Sequence, residues 1–311
     1  MQDEPVLEIL MATYNGEAFL REQIDSILAQ DDQGWHLTIS DDGSDDDTVI
    51  IIESYAKRYP DKITFYRSGR RFGNARDHFL HLMNEATSAE WMLFCDQDDY
   101  WWAHKVRKMR TAINGVRRRY GPRKPVLIFS DQVVTDEKLK PTILSLTQYQ
   151  KHYVKEFDYR SILMQNVVTG GAMAVNRPLA ELAAEAAGTS KIIMHDWWLA
   201  AVAARFGKIV YLELALGYYR QHGNNAVGAK HVGSFGYFRN RVGALKDVKR
   251  TIQQKKEQAG LFLDTYRDRL EDADFEFLNG FTKRRSGPFF FLKYRKLLHG
   301  KERKIGMTLL G

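Results

Sequence analysis

Apolar and polar positions alternate along the first 131 residues with two periods in turn. Val6 to Thr13 (VLEILMAT) is a nearly unbroken apolar run and predicts a buried strand. Ala18 to Ala29 places Leu20, Ile24, Ile27 and Leu28 on one face of a helix. The same pairing recurs: a strand at His36 to Ser40 and a helix at Thr48 to Tyr59, with Asp45 to Asp47 as N-cap and first-turn acids. Further on come a strand at Ile63 to Tyr66, a helix over Asn74 to Ala86 and a strand at Trp91 to Cys95. A basic helix at His104 to Arg119 and a strand at Val126 to Ser130 complete the series. Strand–helix alternation of this kind predicts an α/β sandwich around a mostly parallel sheet, with ligands bound beyond the carboxyl ends of the strands.

After residue 131 the rhythm weakens. NVVTGGAMAVNR (166–177) reads as a glycine-hinged turn feeding a short strand, and MHDWWLAAVAARFG (194–207) as a helix carrying His195 and Asp196 in its first turn. GYYRQHGNNAVG (217–228) is a strand entering a Gly/Asn-rich loop, and from Ser234 on two or three basic amphipathic helices are expected.

Charge sharpens this division. Residues 1–229 hold 27 Lys+Arg against 30 Asp+Glu, whereas residues 230–311 hold 19 against 9, a net of +10. The basic character therefore belongs to the tail, and the absence of a recognised binding motif there argues against nucleic acid. The tail's basic and aromatic residues suit an anionic membrane surface; packing on the preceding domain, or a homodimer interface, are the plainer uses. No run of about 18 apolar residues is present to span a bilayer, and the first ten residues lack the basic start and apolar stretch of a signal peptide. Cys95 is the single cysteine, which excludes an intramolecular disulfide and fits a reducing cytoplasm.

The chemistry concentrates at predicted strand ends. FCDQDDYWWAHK packs Asp96, Asp98 and Asp99 into four positions, although two carboxylates about 4 Å apart repel by about 4 kcal/mol at an effective dielectric near 20. Capping the next helix needs only one acid. A hard divalent cation, held by one or two carboxylates together with phosphate oxygens and water, accounts for the crowd. SDDGSDDDT ends the second strand with Asp41 and Asp42, which have the chemistry to accept from a base N–H or a ribose hydroxyl. MATYNGE offers one glycine after the first strand, so neither a dinucleotide-binding G-x-G-x-x-G nor a P-loop is present.

Together, ILMATYNGEAFLREQIDSILAQ, ISDDGSDDDT, GNARDHFLHL and CDQDDYWWAHK resemble glycosyltransferase family 2; TGGAMAVNR, HDWWLA and YRQHGNN resemble its bacterial rhamnosyltransferase-like branch. The resemblance covers about residues 6–226 and implies a GT-A type αβα sandwich. The expected organisation is a catalytic domain at 1–229 (1–131 binding nucleotide, 132–229 binding acceptor) and a basic helical segment at 230–311. It implies inverting, Mg²⁺- or Mn²⁺-dependent transfer of a sugar from a nucleotide diphosphate donor to a saccharide or lipid-linked acceptor. The place would be the cytoplasm or the inner face of the cell membrane, in surface polysaccharide synthesis. Residue by residue, Ala12, Thr13, Tyr14, Asp41 and Asp42 match positions that hold base and ribose. Asp96 would face ribose or metal, Asp98 would ligate the metal with Asp99 as its competitor, and His222 would be a third ligand. Arg76 would lie near the diphosphate or the sugar, and Arg220 near the diphosphate; the family usually has Asn where this chain has Asp77. Gly171, with Gly170, would let the backbone approach the donor sugar. Asp196 matches the catalytic base, and Trp197 and Trp198 beside it suit the apolar faces of sugars. A non-catalytic nucleotide-sugar-binding module and a sugar nucleotidyltransferase are the competing readings.

Overall fold

The structure, a computed structural model, describes residues 6–150, 157–186, 189–223 and 241–283, with 290, 293, 294 and 297; within 241–248 the backbone alone is described. Among the described residues nine strands form one sheet. They are β1 (Leu7–Thr13), β2 (Trp35–Asp41), β3 (Ile63–Phe65), β4 (Trp91–Cys95), β5 (Tyr100–Trp101), β6 (Val126–Thr135), β7 (Pro141–Ile143), β8 (Met173–Asn176) and β9 (Lys208–Arg220). Their order is β3-β2-β1-β4-β8-β6-β9-β5, with β7 on β6. β1, β2, β3 and β4 run parallel, as do β6 and β9, while β8 is antiparallel to both its neighbours.

The alternating side chains of β1, β4 and β6 fill two cores, which is why their apolar runs are nearly continuous. On one face Leu7, Ile9, Met11, Trp91, Leu93 and Cys95 pack under α1 (Leu20–Leu28), α2 (Thr48–Arg58) and α4 (Lys105–Tyr120). On the other, Leu10, Met92, Phe94, Leu127 and Phe129 pack under α3 (Ala75–His81), α6 (Tyr159–Met164), α7 (Arg177–Ala184) and α8 (His195–Phe206). A short α5 (Leu146–Tyr149) precedes α6. From β1 the chain moves outward to β2 and β3 and then returns to β1's other side as β4. The β1/β4 boundary is therefore the switch point at which parallel α/β sheets open a crevice.

The C-terminal helices α9 (Arg241–Tyr266) and α10 (Asp272–Thr282) complete the second core. Phe262, Tyr266, Phe277 and Phe281 are buried there with Trp198 of α8, so α9 and α10 share the core of this sheet. Phe290 and Tyr294, from the aromatic stretch expected to suit a lipid surface, pack against Phe277 with ring centres 5.8 and 5.1 Å away, the first tilted and the second edge-on. The rest of that stretch, like most of the basic residues after 283, lies outside the described residues.

Candidate active site

The carboxyl ends of β1, β2 and β4, the turn before β8 and the start of α8 meet around one cavity of about 800 Å³. Asp42, Asp98 and Asp196 all line it, although more than 150 residues separate the first from the last.

At the end of β1, the Thr13 hydroxyl lies 2.9 Å from an oxygen of Asp41 and 3.2 Å from the Ser40 carbonyl. Asp41 accepts from the backbone N–H groups of Gly43 and Ser44 and from the Ser44 hydroxyl at 2.6–3.0 Å, so it organises the turn and does not line the cavity. Asp42 is buried and accepts from the amides of Phe72 and Gly73, holding the bend after β3 against the cavity edge. Tyr14 stands about half exposed, with the guanidinium of Arg71 5.6 Å from its ring centre. Gln97 joins the two sides of the switch point: its Oε1 accepts from the Tyr14 N–H and its Nε2 donates to the Tyr14 carbonyl, each at 3.0 Å. Arg71 and Gln97 were not singled out from sequence. Each lies in a stretch with a stronger signal, the glycines of SGRRFGN and the acids of CDQDD.

Beyond β4 the three acids separate. Asp96 lines the cavity; burial, then the charges of Asp98 and Asp196, push its carboxyl up to about 7. Asp98 meets His222, with Oδ2 and Nε2 2.6 Å apart. Asp99 turns inward, 1% exposed, and accepts from Gln132 at 3.1 Å; burial and the nearby acids raise it well above the usual carboxylate range. The structure thus brings Asp98 and His222 together and sets Asp99 apart from them. Among the described residues no three His, Cys, Asp or Glu side chains are arranged to hold a metal ion.

The two-residue strand β5, hidden in sequence among the aromatics, makes the Asp98–His222 meeting happen. Tyr100 and Trp101 pair with Tyr218 and Gly217 of β9, which pins the acid loop against the strand that ends at Arg220. A Cβ at Gly217 would stand 2.7 Å from the Tyr100 carbonyl oxygen, so glycine permits the approach. A Cβ at Gly171 would stand 2.6 Å from Asp96 Oδ2 and 2.9 Å from Asp99 Oδ2; this glycine makes room for the acids behind the cavity wall. Lys105, 1% exposed at the start of α4, donates to the Gly171 carbonyl at 2.9 Å, and burial lowers its ammonium to about 8.

Neither Arg76, expected near the diphosphate or sugar, nor Arg220, expected near the diphosphate, lines the cavity. Arg220 is buried, donates through Nε to the Asp98 carbonyl at 2.9 Å and reaches the Glu137 carbonyl and the Glu22 carboxylate. It shapes the backbone that presents Asp98. Arg76 forks onto Asp77 with two contacts of 2.7 Å and donates to the carbonyls of Ser190 and Ile192. Among the described residues, Arg71 is the Arg or Lys that lines the cavity.

Opposite the acids, α8 presents Asp196 in its first turn, where the N–H groups favour a negative charge. Oδ1 accepts from the Trp197 amide at 2.6 Å, yet burial dominates and lifts the carboxyl to about 6. His195 is buried between Phe79 and Phe94, and burial drops its imidazole to about 3, so it is neutral. Trp197 lines the cavity, whereas Trp198 is fully buried against Phe262 and Tyr266 and belongs to the core.

Residues 8–120 match the family described as Glycosyl transferase family 2. A dTDP-rhamnosyl transferase of Shigella flexneri, RfbG, is 28% identical over 235 residues, covering 70% of this chain and 74% of its own. Among solved structures, TarS of S. aureus in complex with UDP-GlcNAc aligns with a TM-score of 0.53 at 12% identity, over 98% of this chain and 90% of that one. The mannosyltransferase PcManGT of Pyrobaculum calidifontis, in complex with GDP-Man and Mn2+, aligns with a TM-score of 0.55 at 15% identity, over 99% and 85%. The α/β architecture is that of the GT-A glycosyltransferases.

Proposed function

We propose that this glycosyltransferase, whose residues 8–120 carry the family 2 match, moves a sugar from a nucleoside diphosphate donor to a saccharide hydroxyl with inversion at the anomeric carbon. The observation that carries the reading is the shared cavity: Asp42, Asp96 and Asp98 on the nucleotide side face Asp196 across one space. Asp196 takes the proton from the acceptor hydroxyl, whose oxygen forms the new bond to the anomeric carbon. The bond from that carbon to the diphosphate oxygen breaks on the opposite side, and the diphosphate departs with the electron pair. Tyr14 offers an exposed ring to the base, and Arg71 beside it offers the positive charge that the departing diphosphate needs.

The site suits a divalent ion. A carboxylate and an imidazole, both donors to such ions, meet at Asp98 and His222, and the neighbouring Asp96 carboxyl is pushed up first by burial and then by the charges of Asp98 and Asp196. Asp98 and His222 would hold the ion, with the donor's phosphate oxygens and water completing its coordination, and it would stabilise charge on the departing diphosphate. The GDP-Man and Mn2+ complex of PcManGT supports this choice. The likeness to a dTDP-rhamnosyl transferase makes dTDP-rhamnose the first donor to test.

Because Asp196 must be ionised to act as base, kcat is expected to fall as pH drops through about 6 and to level off above it. The check is a pH profile at saturating substrates together with the anomeric configuration of the product by NMR. A retained configuration, or a flat profile between pH 5 and about 8, sinks the reading.

No helix among the described residues is long and apolar enough to cross a membrane. The +10 charge of residues 230–311 supports contact with an anionic surface bearing a lipid-linked acceptor. The full chain should then sediment with phosphatidylglycerol vesicles at low salt and be released as salt rises. Equal recovery with phosphatidylcholine vesicles, or none with either, removes the membrane from the proposal.

A further inference from the structure

One peptide unit just before α8 is held at both of its ends. The carbonyl of Ile192 accepts from Arg76 Nη1 of α3 at 2.6 Å. The N–H of Ile193, the other half of the same peptide, donates to Gln258 Oε1 of α9 at 2.8 Å. Gln258 is fully buried, and Ile192 is 1% exposed. Arg76 is itself fixed by its two contacts with Asp77, whose backbone N–H donates to the N-cap Asn74, so the arginine is a rigid arm. Three residues after the held peptide comes Asp196, and Ile193 and Met194 between them line the cavity. Downstream of the base, α9 also grips α8: Phe262 and Tyr266 lie 5.8 and 6.0 Å from Trp198, and Tyr266 lies 4.9 Å from Phe206.

A peptide linkage is planar, so fixing its oxygen on one side and its hydrogen on the other sets the direction in which the chain leaves it. A loop end would otherwise be free to shift, and a misplacement of about 1 Å at a reacting group can cost a hundredfold in rate. We infer that Arg76 and Gln258 are positioning residues that clamp the Ile192–Ile193 peptide and thereby aim Asp196, and that α9, through Gln258, serves the proton-transfer step. The inference rests on Asp196 being the base. It assigns Arg76 to the acceptor side of the reaction and gives the C-terminal segment a catalytic purpose beyond packing.

The test compares Gln258→Met, Arg76→Met and the double variant with wild type, in the full chain. Gln258→Met keeps the volume and removes the acceptor; Arg76→Met, at a partly buried position of α3, removes the other arm. Each single variant should lose about 10- to 100-fold in kcat, with the acidic limb of its pH profile displaced and the dissociation constant for nucleotide sugar within about twofold of wild type. Because both arms act on one peptide, the double variant should fall little below the worse single one, and the losses should not multiply. A folded Gln258→Met or Arg76→Met enzyme with kcat unchanged overturns the clamp, as does donor affinity falling in step with kcat, or a fully multiplicative double variant. If Gln258→Met does not fold, Arg76→Met decides alone by the same split. Asp196→Asn run alongside separates the two ideas: turnover retained there rejects the base assignment, whereas turnover lost there and kept in the clamp variants rejects only the clamp.

Discussion

Asp196→Asn is expected to slow turnover by about 10²–10⁴, the usual worth of a positioned general base, while nucleotide sugar binds as tightly as before. The amide is isosteric and its oxygen still accepts the Trp197 N–H, so the first turn of α8 keeps its shape; the proton acceptor is lost, and the NH₂ competes with the Asn166 and Gly170 donors from which the carboxylate accepts. The substitution also has a signature in stability. Burial lifts the folded-state carboxyl to about 6, above its ordinary value of 3.8, so the folded protein holds this proton more tightly than the unfolded chain does. The resulting penalty vanishes well below pH 3.8, grows between the two values and is fully present at neutral pH. Removing the charge should therefore stabilise the resting enzyme above pH 6, on the order of 1–3 kcal/mol, and by much less near pH 4. Lower turnover joined to a higher melting temperature marks a group held at an unfavourable ionisation for function. Single-turnover kinetics, donor titration and thermal melts at pH 4.5 and 7.5 check it. Retained turnover means that the base lies elsewhere; loss of donor binding means that Asp196 holds substrate.

The parallel half of the fold was legible because its strands are buried on both faces and its helices are amphipathic. Both patterns are local, and the boundaries of β1, α2, β4 and α4 agree with the sequence reading to within a residue or two. β6 was read as ending at Ser130 but runs to Thr135, because Asp131 and Gln132 look like loop residues. Their burial is repaid by distant partners: Asp131 accepts from Ser145 and Thr147, and Gln132 donates to Asp99. β5 was hidden for the opposite reason, since two aromatics before a helix carry no strand period and their pairing with β9 is a long-range fact. At the site, the motif spacing placed Asp42, Asp96, Asp98 and Asp196 at strand and helix ends that face one cavity. The arginines were less readable. Their charge suggested phosphate, but a guanidinium offers five donors, and in Arg76 and Arg220 those donors are turned to carboxylates and backbone carbonyls that sequence does not bring together. Arg71, with fewer such partners, is the side chain left facing the cavity.

Asp98→Ala should abolish the metal-dependent part of donor binding. In the wild type, nucleotide sugar at about 100 times its dissociation constant with Mn²⁺ should add about 2.7 kcal/mol of stability, and chelating the metal should remove most of it. Asp98 is the acid suited to this role because of where the chain sends the other two. Asp99 is committed to Gln132 in the interior, and Asp96, against Gly171, is raised to about 7 and is partly protonated at neutral pH. Of the three acids, Asp98 is the one that meets an imidazole, and Arg220 donates to the carbonyl of the same residue. The Ala variant should therefore melt normally, bind donor equally weakly with and without Mn²⁺, and gain nothing from excess metal. His222→Ala should lose less, because a carboxylate carries the charge that a hard cation selects and an imidazole does not. An undiminished Mn²⁺-dependent shift in Asp98→Ala would move the cation to Asp96. A wild-type shift that survives chelation would mean that Arg71 and the backbone amides at the switch point neutralise the diphosphate without a metal ion, and that the crowded carboxylates after β4 serve the shape of the cavity wall.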